Sequence, residues 1–304
     1  MKFEEKYAHF RYIGEAGYLQ FLEQVIKTGT HKQNRTTVNT RSVVGGEIVF
    51  DISNQAIPLL NTKFVAAKLI ISELLWILRG NHTVDFLKTH KNKIWDEWAT
   101  AEQCAKFGRK SGDLGPVYGV QWRYFGGQYN SSIAHYEGGV DQIAQTIELM
   151  CNNPESRRII VTAWHPQDAA QVTLPPCHTF FQIIADKSAG TFVLKLYMRS
   201  ADLFLGVPFN IVSYSILGHI LGIATGLKPE AFIVTFGDAH VYENAISAVQ
   251  TQLERKILSD FPTIAIRQKQ LDESPLAYIE SLGVVDFQII GYSPQPKISA
   301  EVVI

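Results

Sequence analysis

Between Leu203 and Leu227 the chain carries no Asp, Glu, Lys or Arg. A run of that length can span a bilayer as a helix, or it can be buried on all sides inside a protein. Its own residues decide. Pro208, Asn210, His219 and the glycines Gly206, Gly218, Gly222 and Gly226 interrupt it, so it reads as a central helix, 211–225, of a soluble protein. The flanking sequence supplies strands. "RRIIVTAW", "HTFFQIIA" and "TFVLKLYM" precede it, the last alternating through Phe192, Leu194, Leu196 and Met198. A strand over 231–236 follows, then a helix opened by Asp238.

Further upstream, Tyr18, Leu19, Leu22, Val25 and Ile26 recur at helical spacing until Gly29. A polar basic loop, "THKQNRTTVNTR", leads to a strand through Ile48, Phe50 and Ile52. A helix over 64–78 has an apolar stripe at Ile70, Leu74, Ile77 and Leu78. Residues 99–139, rich in Gly, Tyr, Ser and Gln, read as long surface loops, and Ile143, Ile147 and Met150 mark another helix. With no repeat, low-complexity tract or Pro/Ser linker, one domain over 1–304 is expected. A net charge of −1 argues against DNA and anionic membranes as partners. Cys104, Cys151 and Cys177, odd in number and without CxxC spacing, argue against a disulfide scaffold or zinc ribbon and for a reducing compartment. The start, "MKFEEKYAHF", lacks the apolar core of a signal peptide. Neither a Walker loop nor GxGxxG follows a strand.

A few residues stand out chemically. Glu73 falls on an apolar helix stripe, where a carboxylate loses hydration and its pKa rises; it suits either proton transfer or a buried ion pair. Asn210 lies in the uncharged run, where burying a bare amide costs roughly 1–3 kcal/mol; it reads as a helix N-cap or as a reader of a pyrimidine edge. Arg199, Ser200 and Asp202 follow a strand, and Arg plus Ser can hold a phosphate. Arg157 and Arg158 precede a strand, and Arg35 sits in the early loop; each alone reads as a solvated charge. His240, two residues from Tyr242, reads as a structural histidine. Trp95 and Trp98 read as packing residues or as a platform for a flat ring. Cys177 in "LPPCHTFFQ" is on spacing alone an inert core cysteine, and beside Arg199 a nucleophile. His178, its neighbour, is a poor base for it, because adjacent strand side chains diverge.

Taken together, "ELLWILRG", "IWDEW", "GDLGPVYG", "QWR", "ESRRIIVTAW", "LPPCHTFFQ", "RSADLFLGVPFNIVSY", "GDAHVYENA" and "IIGYSPQP" resemble the folate-dependent thymidylate synthase family, in family order and over nearly the whole chain. The resemblance implies an α/β fold of the α+β type: a single domain with a large twisted mixed β-sheet flanked by helices, one sheet face forming a dimer interface. It implies an N-terminal extension (1–17), a loop-rich insertion (99–139) and a closing tail (292–304). The implied reaction is reductive methylation of dUMP to dTMP, with 5,10-methylenetetrahydrofolate as donor and no metal. Cys177 would add to uracil C6, Glu73 would manage protons through water, and Tyr118 would help remove the C5 proton. Arg35, Arg199 and Ser200 would hold the phosphate, with Arg157 and Arg158 from a second subunit. Asn210 would read uracil O4 and N3, and His240 and Tyr242 would hold the sugar. Asp202 would bind the pterin, with Trp95, Trp98, Leu205, Gly206, Phe209 and Val303 around it. A cytoplasmic homodimer with shared sites is implied.

The chain differs from the usual family pattern at several places. "RTTVNT" replaces a glycine-rich loop, and Phe64 a base. Met198, His165, Gln295 and Ser299 stand for glutamine, asparagine, histidine and lysine. Viral relatives that let water rather than hydride trap the methylene intermediate set the alternative reading, a dUMP hydroxymethylase. A non-catalytic nucleotide- or RNA-binding relative is a third, disfavoured by the presence of Cys177, Glu73 and Tyr118.

Overall fold

A computed structural model describes residues 2–34 and 36–303, so Arg35 lies outside the described residues. Among the described residues eight strands form one mixed sheet: β1 (Tyr12–Ile13), β2 (Thr30–Lys32), β3 (Thr40–Val44), β4 (Glu47–Asp51), β5 (Ile160–Thr162), β6 (His178–Asp186), β7 (Thr191–Asp202) and β8 (Lys228–Tyr242). Their order is β1-β4-β8-β7-β6-β5, with β3 also on β8 and β2 on β3. The length of β8 explains this branching. Residues 231–235 pair antiparallel with β4 and 238–242 pair antiparallel with β3, while the opposite edge runs parallel to β7.

Alternation on β7 fixes which face is interior: Phe192, Leu194, Leu196 and Met198 are all buried. Against that face lie α1 (Gly14–Thr28), α2 (Ala67–Leu78), α3 (Tyr118–Arg123), α4 (Gln142–Asn152) and α5 (Gly206–Thr225). α5 is long and apolar enough to cross a membrane, yet 83% of its most apolar window is buried inside the protein. It connects the parallel strands β7 and β8, and one of its glycines lets the chain double back. A Cβ on Gly222 would stand 2.9 Å from both Leu227 O and Pro229 Cδ. The mixed sheet and its flanking helices agree with the expected fold class.

The opposite face is open. Ile160, Phe180 and Ile184 are exposed there, and Phe180 stacks on Tyr197. One corner is covered by Phe3, Tyr7 and Phe10, which pack against Val49, Ala231 and Ile233. Residues 3–10 therefore fold onto the sheet, and α1 begins at Gly14.

Several local expectations are corrected. Asp238 opens no helix; it lies inside β8, because the His240 and Tyr242 backbone continues the ladder with β3. Asn210 is no N-cap, since α5 starts at Gly206 after Leu205. The basic loop is a hairpin at both ends, β2 pairing β3. The stretch 99–139 is partly interior. Leu114 and Val117 are buried, as are all six residues of α3; Gly115, Pro116 and Gly119 break up any helical period there.

Candidate active site

Cys177 lies at the entry to β6, behind two prolines. Proline lacks an N–H and keeps an extended chain, which leaves the carbonyls of Pro175 and Pro176 to be used by something else. Arg199 uses both: Nη2 donates to Pro175 O and Nε to Pro176 O, each at 2.8 Å. The same guanidinium reaches Cys177 Sγ at 3.8 Å and lies 5.2 Å from the Trp164 ring. The sulfur thus sits against a fixed positive charge. This is an electropositive, partly exposed setting, unlike that of an inert core cysteine.

Tyr118, the first residue of α3, accepts the Cys177 backbone N–H on its hydroxyl at 2.7 Å. Burial pushes its pKa well above the ordinary phenol value. The ring stacks on His178 with centroids 3.7 Å apart and planes 5° apart. His178 Nδ1 is 2.7 Å from the Tyr214 hydroxyl, and burial lowers the imidazole pKa to about 3, so it is neutral. His178 therefore turns away from Cys177 toward α5, as strand geometry requires.

Glu73 is partly buried on α2. Trp95 Nε1 donates to Glu73 Oε1 at 2.7 Å. Burial pushes the carboxyl up to about 7, against the opposing pull of the Trp95 N–H. Such a group gains and loses a proton near neutrality. Trp95 meets Tyr118 edge-on at 6.1 Å and Trp98 at 5.9 Å, so the carboxylate, the phenol and both indoles share one wall.

The other wall is the C-terminal end of the parallel pair β7–β8. Ser200 lies beside Asp238 and Asp202 beside His240 in register. Asp202 Oδ1 accepts the N–H groups of Phe204 at 3.0 Å and Leu205 at 3.1 Å. This turn delivers the chain into α5, whose first turns carry Gly206, Phe209 and Asn210. A Cβ on Gly206 would lie 3.8 Å from Asp202 Cβ and 4.0 Å from Asn210 Oδ1, which puts these three side by side. Among the described residues Asn210 forms no side-chain hydrogen bond, so its amide is open to a ligand.

Sequence reading missed several supporting residues. Asp238 accepts from Ser42 at 2.9 Å and from Lys32 at 2.8 Å, and faces His240 Nδ1 at 3.0 Å; Tyr242 meets the His240 ring edge-on. The signal was the i,i+2 spacing Asp238–His240–Tyr242 on one strand face. Lys63 is buried, lies 3.6 Å above the Phe204 ring and donates to Phe204 O; burial lowers its pKa to about 7.

Three of the expected site residues lie elsewhere. Arg157 and Arg158 are exposed, and the neighbouring Ile159 O accepts from Ile183 N–H, six residues along β6 from Cys177. At strand rise that is roughly 20 Å away, so this chain does not bring them to its own Cys177. Val303 is half-buried and lines a 280 Å³ cleft with Thr37, Val38 and Asn244. Upstream of it the tail is anchored. Tyr292 accepts the Val65 N–H, the Gln295 N–H donates to Asn61 O, and its side chain donates to Lys256 O. Phe64, which replaces the base of the usual family pattern, stacks on Tyr292.

The family profile described as thymidylate synthase matches residues 16–304. The bifunctional dihydrofolate reductase-thymidylate synthase of Leishmania major is 40% identical over 294 residues, covering 95% of this chain and 55% of that protein. The protein of the same name from Leishmania amazonensis is 38% identical over the same coverage. The chain thus spans about half the length of these curated relatives.

Proposed function

As the chain belongs to the thymidylate synthase family, we propose that it converts dUMP to dTMP. The reduced folate, 5,10-methylenetetrahydrofolate, supplies the one-carbon unit and the hydride. The residues fit that co-substrate. Asp202 spends Oδ1 on two backbone amides, which leaves Oδ2 to accept from a pterin N–H, and Trp95 and Trp98 offer flat apolar walls.

In this reading Cys177 Sγ bonds to uracil C6, and C5 becomes the carbon nucleophile that takes the one-carbon unit. Arg199 stabilises the sulfur anion before attack and after its final expulsion. Glu73 delivers and recovers protons at uracil O4 and folate N5 through water. Tyr118 helps remove the C5 proton by the same solvent route, its hydroxyl donating to and orienting the water that takes the proton. Asn210 pairs with O4 and N3, while His240 and Tyr242 hold the sugar hydroxyl. Arg199 and Ser200 hold the phosphate together with Arg35.

Arg157 and Arg158 serve the site of a second subunit in a cytoplasmic homodimer. Their distance from Cys177 and the open apolar face at Ile160, Phe180 and Ile184 support that arrangement. The carrying observation is the Cys177 setting itself: sulfur against Arg199, backbone N–H on Tyr118. Incubation with dUMP and 5,10-methylenetetrahydrofolate tests the reading. It predicts rising dihydrofolate absorbance and a product with the mass of thymidylate. A product heavier by one oxygen means that water takes the place of hydride, and no product at all refutes the reading.

A further inference from the structure

Tyr214 lies in the middle of α5 and is 2% exposed. Its ring is locked by Trp122, Phe181 and Phe232, with centroids 6.0, 5.7 and 6.2 Å away. Only the hydroxyl does anything polar. A buried O–H needs an acceptor, and among the described residues the atom in reach is His178 Nδ1, at 2.7 Å. A neutral imidazole has one bare nitrogen and one N–H. If Tyr214 donates to Nδ1, then Nδ1 is bare and the proton sits on Nε2. The hydrogen bond also fixes the plane of the imidazole, since an acceptor nitrogen prefers its donor in the ring plane.

That plane matters for Tyr118. The phenol ring lies flat on His178, 3.7 Å away and nearly parallel, so a rotation of the imidazole drives into it. Tyr118 Oη is meanwhile held by the Cys177 N–H. We propose that Tyr214 is a positioning residue: its hydroxyl fixes the tautomer and the plane of His178, and that ring in turn holds the Tyr118 phenol in register with Cys177. This rests on the thymidylate synthase reading only for the step that Tyr118 serves; the tautomer assignment stands apart from it.

Tyr214→Phe keeps the packed ring and removes only the oxygen. In ¹⁵N-histidine-labelled protein, with His178 assigned through His178→Gln, the wild type should show a bare Nδ1 and a protonated Nε2. The Tyr214→Phe protein should lose that single tautomer. Its kcat should fall about tenfold, in line with the sensitivity of catalysis to small misplacements, with KM for dUMP and folate nearly unchanged. Release of tritium from [5-³H]dUMP should slow in step with kcat, while covalent capture of 5-fluoro-dUMP, which needs no C5 proton loss, keeps its wild-type rate. A wild-type His178 protonated on Nδ1, or an unchanged tautomer in the variant, overturns the proposal. So does a parallel loss of 5-fluoro-dUMP capture, which marks general damage. A wild type that releases no tritium contradicts the functional reading and leaves the tautomer result to decide this one.

Discussion

The Tyr118 hydroxyl accepts the Cys177 backbone N–H at 2.7 Å, so the phenol and the proposed nucleophile are registered to one another by a single hydrogen bond. With its lone pair engaged there, the Tyr118 proton is free to face the substrate side. Tyr118→Phe should therefore lower kcat by about 10²–10⁴, the usual contribution of a positioned acid–base group. Tritium release from C5 should fall equally. Equal turnover by the variant would remove Tyr118 from the proton path.

Trp95 acts on Glu73 through one N–H, and its effect opposes that of burial. Trp95→Phe keeps an aromatic wall and deletes the donor. A hydrogen bond to a charged group contributes about 1.5–3 kcal/mol, or roughly one to two pKa units. The Glu73 pKa should rise from about 7 by that amount, moving the matching limb of the kcat pH profile to higher pH. A limb that stays in place would show that Glu73 does not set it.

Glu73 also costs stability. Its folded pKa of about 7 stands above the ordinary carboxyl value of about 4.3, so the fold binds its proton more tightly than the unfolded chain does. Stability then falls as pH rises between those values and stays lower above 7. Glu73→Gln should unfold at a higher temperature than the wild type at pH 8, by the equivalent of roughly 4 kcal/mol, and at nearly the same temperature at pH 4. Thermal melts at the two pH values check this. A stabilisation that is equal at both would contradict the carboxyl's burial as its source.

Arg158 lies far from Cys177 within one chain, and the proposed dimer makes it serve the neighbour. Arg158→Ala and Cys177→Ala proteins, each inactive alone, should regain activity when mixed under subunit exchange. Random pairing in a two-fold dimer leaves about a quarter of the sites intact, which sets the expected recovery. A mixture that stays inactive rules out shared sites.

Much of the sheet could be read in the sequence because alternation is strict where one face is buried, as in Phe192, Leu194, Leu196 and Met198. The central helix could be read from its lack of charge. The reading failed where side-chain chemistry imitated a different backbone. Asp238 looked like a helix cap, yet its carboxylate serves Lys32 and Ser42 across strands, partners that no local window contains, besides His240 two residues along its own strand. Asn210 looked like a cap because the helix begins with Gly206, a weak helix former placed where Asp202 and Asn210 approach. α3 was hidden by Gly115, Pro116 and Gly119, although its burial is what presents Tyr118 to Cys177. The proposed nucleophile, Cys177, was legible only through its motif. Its neighbour Arg199 is brought in by β7 lying antiparallel to β6, a pairing that spacing alone does not reveal.

The most direct measurement is intact and peptide mass spectrometry of the denatured protein after incubation with 5-fluoro-dUMP and 5,10-methylenetetrahydrofolate. The expected result is one added nucleotide and folate, carried by the peptide that contains Cys177, and no addition to the Cys177→Ala protein. An unmodified chain, or an adduct on Cys104 or Cys151 instead, would contradict the assignment of Cys177 as the atom that attacks the pyrimidine.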